Sequence, residues 1–179
     1  VETGQQFEYG HEVASKPELL IALAQNLSKE ALLICNGVKD EEFIRLAIMS
    51  RKMGFNTIIV LESPKELDHV FKVARDLGEK PALGVRIKLT HQIKGYWATS
   101  SGDRSSFGMT VDNVIDVIDR LKNEGMDDCL VLQHSHLGSQ IPDIIDVRRT
   151  VNEACRFYTE LKSLGLPLRY LDLGGGLGI

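Results

Sequence analysis

The chain has 179 residues, enough for one domain or a large piece of one, with 21 basic and 25 acidic residues and a net charge of −4. It has no basic run to follow a nucleic-acid backbone or an anionic membrane surface. Its longest apolar stretches, such as Thr57-Ile58-Ile59-Val60-Leu61, fall far short of the ~20 residues of a membrane span, so neither nucleic acid nor membrane is an expected partner.

In chain order, Tyr9–Val13 predicts the first strand, and Ser15-Lys16-Pro17-Glu18 after it reads as a capping box opening a helix, with Pro where a missing N–H costs nothing. Ala31–Cys35 is the second strand, followed by a helix with Asp40 as N-cap that runs to about Met53. Thr57–Leu61 is the third, followed by another capping box at Ser63-Pro64-Lys65-Glu66. Ala82–Ile87 is the fourth. From Lys88 to Gly108, a stretch that includes Trp97, no period is sustained, and loops of that length are more often functional or mobile than filler. Thr110 opens a helix through about Glu124, Cys129–Gln133 forms the fifth strand, and a longer helix runs from Asp143 or Asp146 to Leu164, stopping at Gly165 before Pro167. Leu168–Leu173 is the sixth strand. Continuous apolar strands separated by helices imply an α/β fold with a parallel sheet, either a closed barrel or an open doubly wound sheet.

The chain begins at Val1 rather than Met and stops within a glycine loop. It therefore reads as an internal fragment, one incomplete domain over 1–179 without a linker. Cys35, Cys129 and Cys155 lack close spacing, which suits reduced thiols in a cytosol-like compartment.

Two strand ends carry candidate chemistry. The fifth strand runs into Gln133-His134-Ser135-His136-Leu137-Gly138-Ser139-Gln140, and the sixth into Gly174-Gly175-Gly176-Leu177-Gly178. Successive glycines leave no Cβ in the way of an anion approaching backbone N–H groups. An imidazole and a hydroxyl on the same rim add a flat ring and a hydrogen-bond donor. Together they suit a phosphorylated aromatic cofactor. Each feature also has a plainer meaning: His136 alone can be a satisfied structural histidine, the glycine triplet a tight turn, Asp172 a local cap, and Arg86 and Glu12 strand-end ion pairs. His134 shares a face with His136 by strand alternation and is expected to pack. Lys16 and Lys39, at helix starts, are expected to be solvated charges.

His136-Leu137-Gly138-Ser139 followed by Leu171-Asp172-Leu173-Gly174-Gly175-Gly176 resembles the fold-type-III pyridoxal-phosphate decarboxylases of basic amino acids. Further motifs occur in the same order: Ala14-Ser15-Lys16-Pro17-Glu18-Leu19, Cys35-Asn36-Gly37-Val38-Lys39-Asp40, Ser106-Phe107-Gly108, His136 to Gln140, and Gly174 to Gly178. In that spelling the whole chain is similar to the biosynthetic arginine decarboxylase family, of bacterial or plant type.

The resemblance implies part of a (β/α)8 TIM barrel of the alanine racemase-like type, truncated at both ends, with pyridoxal 5'-phosphate at the C-terminal strand ends. In that family the lysine that binds the cofactor covalently lies before the counterpart of Val1. The carboxylate for the pyridine nitrogen and a partner-subunit cysteine lie after that of Ile179. His136 matches the histidine stacked on the cofactor and is the catalytic candidate. Ser139 and the N–H groups of Gly175 and Gly176, with Gly174, would take the phosphate. Arg86 would contact the cofactor or orient its neighbours, and Glu12 matches an acidic position near the lysine. Asp172, Gly176 and Gly178 would lie at the substrate.

The implied activity is conversion of L-arginine to agmatine and CO2 for polyamine synthesis, in a homo-oligomer, dimer or higher. The compartment would be the cytoplasm, or the plastid for a plant chain. The Gln140 spelling and Asn36-Gly37 favour arginine, with an ornithine or diaminopimelate decarboxylase, or a non-catalytic regulatory barrel, as alternatives. Magnesium accompanies bacterial members, but no acidic cluster has ligand spacing, so no metal ligand is assigned. The isolated chain is expected to be inactive and, with open strand edges, prone to aggregate.

Overall fold

The computed structural model describes residues 2–25, 27–89 and 107–176. The interior of the long loop, 90–106, including Trp97 and Ser106, and the glycine-loop residue Gly178 lie outside the described residues. The chain divides into two compact units, Val1–Leu83 and Gly84–Ile179.

The first unit runs α1 (Glu2–Gln5), β1 (His11–Val13), α2 (Lys16–Ala24), β2 (Leu32–Cys35), α3 (Glu41–Lys52), β3 (Asn56–Leu61) and α4 (Glu66–Leu77). Strands β1 and β2 are parallel, with Glu12 opposite Ile34, and β2 and β3 are parallel, with Ile34 opposite Ile58. Ile58, Ile59, Val60 and Leu61 are all fully buried, so β3 is covered on both faces, which is why its sequence is an unbroken apolar run. In α3, Phe43, Ile44, Ala47 and Ile48 fall on one buried stripe, and Leu67, Val70, Phe71 and Ala74 do the same in α4. Each such Leu, Ile or Phe contributes about 1.5–3 kcal/mol by leaving water.

The helix starts follow their expected chemistry with one exception. Ser15 accepts from the Glu18 N–H at 3.4 Å while the Glu18 carboxylate reaches back to the Ala14 N–H at 2.7 Å. Asp40 accepts from the Phe43 N–H at 2.8 Å. The second expected capping box is only half built. Helix α4 starts at Glu66, preceded by Lys65 in a helical conformation with no side-chain cap bond. The Glu66 carboxylate does reach back to the Glu62 N–H at 2.9 Å, but its other oxygen accepts from the Lys39 N–H at 2.9 Å, a long-range use that a local motif cannot reveal.

In the second unit β4 (Leu83–Arg86, its first residue closing the first unit) precedes α5 (Val111–Asn123), a 3-10 turn at Asp127–Cys129, β5 (Leu130–His136), α6 (Ile144–Ser163) and β6 (Tyr170–Gly174). Strands β5 and β6 are parallel. Thr110 caps α5, and Asp143 rather than Asp146 caps α6 through the Ile145 N–H at 2.8 Å. Strand β5 continues past the expected Gln133 to His136, and β6 starts at Tyr170 rather than Leu168.

Beneath the turn after β5, Leu137 and Ile141 join Leu89 and Ala154 in a buried cluster against which Val147, Val151 and Phe157 pack. The Gln133 amide donates to the Ala154 carbonyl at 3.0 Å, so Gln133 and Ser135 face α6, and by alternation His134 and His136 face the other way. Cys35 and Cys129 are buried and Cys155 is exposed. No helix among the described residues is long and apolar enough to cross a membrane.

Candidate functional site

Registry between β5 and β6 sets the geometry. His134 lies opposite Asp172, and His136 opposite Gly174. His134 is buried, and its Nδ1 meets the Asp172 carboxylate at 2.7 Å. This short contact holds the ring in one orientation. A Cβ at Gly174 would lie 3.1 Å from His134 Cε1 and 3.3 Å from His136 Nδ1. Both rings therefore lie over Gly174 on one face, as alternation requires, and any other residue at 174 would press against them.

Past the strands the two turns lock backbone to backbone. Leu137 N–H donates to the Gly174 carbonyl at 2.8 Å, Gly176 N–H to the Gly138 carbonyl at 2.9 Å, and Ile141 N–H to the Gly176 carbonyl at 2.8 Å. Gly138 and Gly175 have φ of 136° and 132°, which only glycine adopts readily. At Gly175 a Cβ would stand 2.6 Å from the Gly138 carbonyl oxygen, so this close approach excludes every side chain. Of the two glycine amides expected to face a phosphate, that of Gly176 is the one engaged with Gly138. Ser139 is exposed on the turn that Gly138 begins, and Gln140 bends it further with φ of 53°.

Arg86 ends β4. Its guanidinium lies 5.3 Å from the centre of the Phe107 ring, and its carbonyl accepts from the Met109 N–H at 2.8 Å. The next residue, Ile87, donates its N–H to the His134 carbonyl at 2.9 Å, which sets the end of β4 beside β5.

Glu12 belongs to the first unit, on β1. Its carboxylate accepts from Asn36 Nδ2 at 2.8 Å. Asn36 follows β2, is 3% exposed, and donates its backbone N–H to the Val13 carbonyl at 2.9 Å. Next to it the expectation of a solvated lysine fails. The Lys39 side chain is 0% exposed, with Nζ 3.3 Å from the Glu66 carboxylate and donating to the Gly37 and Val60 carbonyls. Burial pushes the Lys39 ammonium below its ordinary range, while Glu66 and Glu62 pull it back up. Burial likewise pushes the Cys35 thiol up to about 12, so it stays protonated at neutral pH. Lys16, in contrast, is the half-exposed partner of Asp40 and Glu42, at 2.8 and 2.6 Å.

Of the residues singled out from the sequence, His136, Ser139 and Gly174 to Gly176 gather at the paired ends of β5 and β6, with Arg86 on the strand next to β5. Asp172, expected at the substrate, has its carboxylate on His134. Asn36 and Lys39 stand inside a motif legible in the sequence, but their partners, Glu12 and Glu66, are distant in the chain, and no local pattern announced them. Among the described residues no three His, Cys, Asp or Glu side chains converge as metal ligands.

The family model described as "Pyridoxal-dependent decarboxylase, pyridoxal binding domain" matches residues 2–179. Among curated proteins, the biosynthetic arginine decarboxylase of Nostoc sp. is 47% identical over 179 residues, covering 100% of this chain and 26% of its own. The chain thus spans about a quarter of the length of such relatives. Among solved structures, the biosynthetic arginine decarboxylase of Campylobacter jejuni superposes with a TM-score of 0.86 at 34% identity, over 100% of this chain and 29% of that one. An alanine racemase of Clostridium difficile, at 16% identity, TM-score 0.64 and coverage of 93% and 41%, shares the fold alone. The α/β class and the alanine racemase-like type expected from the sequence are borne out.

Proposed function

Because the chain belongs to the pyridoxal-dependent decarboxylases, through their pyridoxal-binding domain, we propose that it serves a pyridoxal-phosphate enzyme converting L-arginine to agmatine and CO2, a step toward polyamines. The substrate rests on the arginine decarboxylases it resembles at 47% identity and on the Gln140 and Asn36-Gly37 spelling. Residues 1–179 are taken as part of one cofactor-binding domain, supported by the family match over 2–179. By the same resemblance the intact protein acts in the cytoplasm, or a plastid if from a plant, as a dimer or larger homo-oligomer.

One observation carries the cofactor site: at the ends of β5 and β6 two glycine turns meet with no Cβ between them, beside an imidazole and a hydroxyl. That donor set fits a flat, phosphorylated ring. His136 offers the ring a face to lie on. Ser139, with its exposed hydroxyl, and the Gly175 amide are suited to the phosphate, because hydroxyl and backbone donors suit a dianion. Arg86 adds a positive charge on the strand next to β5. His134, tied to Asp172, fills the next place on the same face and fixes the floor on which Gly174 leaves room. Pyridoxal phosphate, when bound, supplies the electron sink that lets the substrate carboxylate leave as CO2. The chain's own residues bind it and set its plane. Glu12, on the first unit, is assigned to the cofactor-side acid. Gly178 is kept as a substrate contact on resemblance alone. We assign no magnesium ligand to this segment.

The test pairs substrate with site. The intact protein, supplied with pyridoxal phosphate and in turn with L-arginine, L-ornithine and diaminopimelate, is expected to release CO2 from arginine by preference and to form agmatine. His136→Ala should weaken cofactor binding about tenfold, the order of magnitude of one lost ring-on-ring contact, with agmatine formation falling alongside. Unchanged cofactor absorbance and unchanged turnover in that variant would remove His136 from the site.

A further inference from the structure

We infer that Asn36, held by a buried charged network in the turn after β2, is the positioning residue that fixes the Glu12 carboxylate for its task at the cofactor. This rests on the assignment of Glu12 made above. The geometry is specific. Asn36 Nδ2 donates to Glu12 Oε1 at 2.8 Å, while Asn36 Oδ1 is buried with no hydrogen-bond partner in the structure. An unpaired buried acceptor is costly, and turning the amide over would merely set its oxygen against a carboxylate oxygen. The side chain is thus oriented by Glu12 at the expense of its own pairing, which is how a side chain placed for function rather than for stability behaves.

The turn that carries Asn36 is itself fixed from below. Gly37 N–H donates to Glu62 at 3.2 Å, and the Gly37 carbonyl accepts from the Lys39 ammonium. Glu66 binds the Lys39 ammonium at 3.3 Å and takes both the Lys39 and Glu62 N–H groups. Gly37 has φ of 73°, and a Cβ there would lie 3.0 Å from the Ala14 carbonyl oxygen, so the turn presses on the chain just beyond β1, the strand that carries Glu12. A lysine and two glutamates sealed below a turn hold it in one conformation. Asn36 is the member of that assembly that meets the Glu12 carboxylate.

A double-mutant cycle in the intact protein tests this, reading the pyridoxal-phosphate dissociation constant of the apoprotein by cofactor absorbance and kcat on L-arginine separately. Glu12→Ala and Asn36→Ala should each weaken cofactor binding or lower kcat by about tenfold, the weight of one hydrogen bond to a charged group. The double variant should be no worse than Glu12→Ala alone. Asn36→Asp, of the same size but with an oxygen facing Glu12, should lose more than Asn36→Ala when Glu12 is present and add nothing when it is absent. It also keeps the cycle readable if the alanine variant folds poorly. Multiplying effects in the double variants would overturn the role of Asn36 while leaving Glu12 in the site. A Glu12→Ala variant with wild-type affinity and turnover would overturn both assignments.

Discussion

Gly175→Val is expected to weaken pyridoxal-phosphate binding by the intact protein more than about a hundredfold while leaving its secondary structure intact. The position fails every requirement a side chain would bring. Its φ of 132° lies where an L-residue is strained, at a cost of about 1–3 kcal/mol. Its Cβ would also stand 2.6 Å from the Gly138 carbonyl oxygen, which is backbone and already accepts from the Gly176 N–H at 2.9 Å. The conflict cannot be relieved by turning a flexible side chain away. The two turns must separate, taking Ser139 away from the glycine amides, and a loss of about 3 kcal/mol corresponds to more than a hundredfold in affinity. Neighbouring glycines give internal controls. At Gly174 a Cβ would meet the two histidine rings at 3.1 and 3.3 Å, a tight but softer contact, whereas at Gly176 the nearest atom is the Gln140 nitrogen at an ordinary 3.6 Å. Equilibrium titration followed by cofactor absorbance should rank the damage as 175, then 174, then 176. A Gly175→Val protein that binds the cofactor normally, or suffers less than a Gly176 variant, would show that the locked turns are not the cofactor's cradle.

Lys39→Met should cost more folding stability than any exchange of a surface lysine. The methionine replaces the stem at similar volume, so little cavity is made. What disappears is the cation facing Glu66, whose side chain is 5% exposed. Removing one partner of a buried pair leaves an uncompensated charge, typically about 3–5 kcal/mol. Two backbone N–H groups still serve the Glu66 carboxylate, at 2.9 Å each, which places the expectation toward the lower end of that range. The Gly37 and Val60 carbonyls lose their donor as well. Thermal or urea unfolding of the intact protein reads this out, with Lys16→Met as the comparison. Lys16 is half-exposed and bridges Asp40 and Glu42 at the surface, where solvent screens the interaction, so its loss should change the midpoint little. Equal midpoints for the two variants would contradict the buried role of Lys39.

The contrast between these two lysines shows where a one-dimensional reading succeeds and where it stops. Both follow a strand and stand near a helix cap. Only the fold distinguishes them, because the acid that seals Lys39 begins a helix beyond the next strand. Glu66 carried a visible local signal, the start of a capping box, and did reach back toward the chain before its helix, yet its second oxygen serves a residue of the previous turn. The caps at Ser15, Asp40 and Thr110 were legible because their bonding lies within a few residues. The end of β5 was not. His134-Ser135-His136 looks like a polar rim, but the strand continues through it because Asp172 and Gly174 on β6 supply a partner for one ring and space for the other. The fold class and the two site-bearing strand ends were written in short apolar runs and glycines. The pairing of Asp172 with His134, and of Asn36 with Glu12, depended on strand registry and turn closure that only three dimensions provide.

A crystal structure of the intact protein with pyridoxal phosphate bound decides whether the ends of β5 and β6 hold the cofactor. The pyridine ring is expected to lie against the His136 imidazole, with the phosphate within hydrogen-bond distance of Ser139 and the Gly175 amide. A cofactor bound away from the ends of β5 and β6, with neither His136 nor the glycine turn touching it, would contradict this placement.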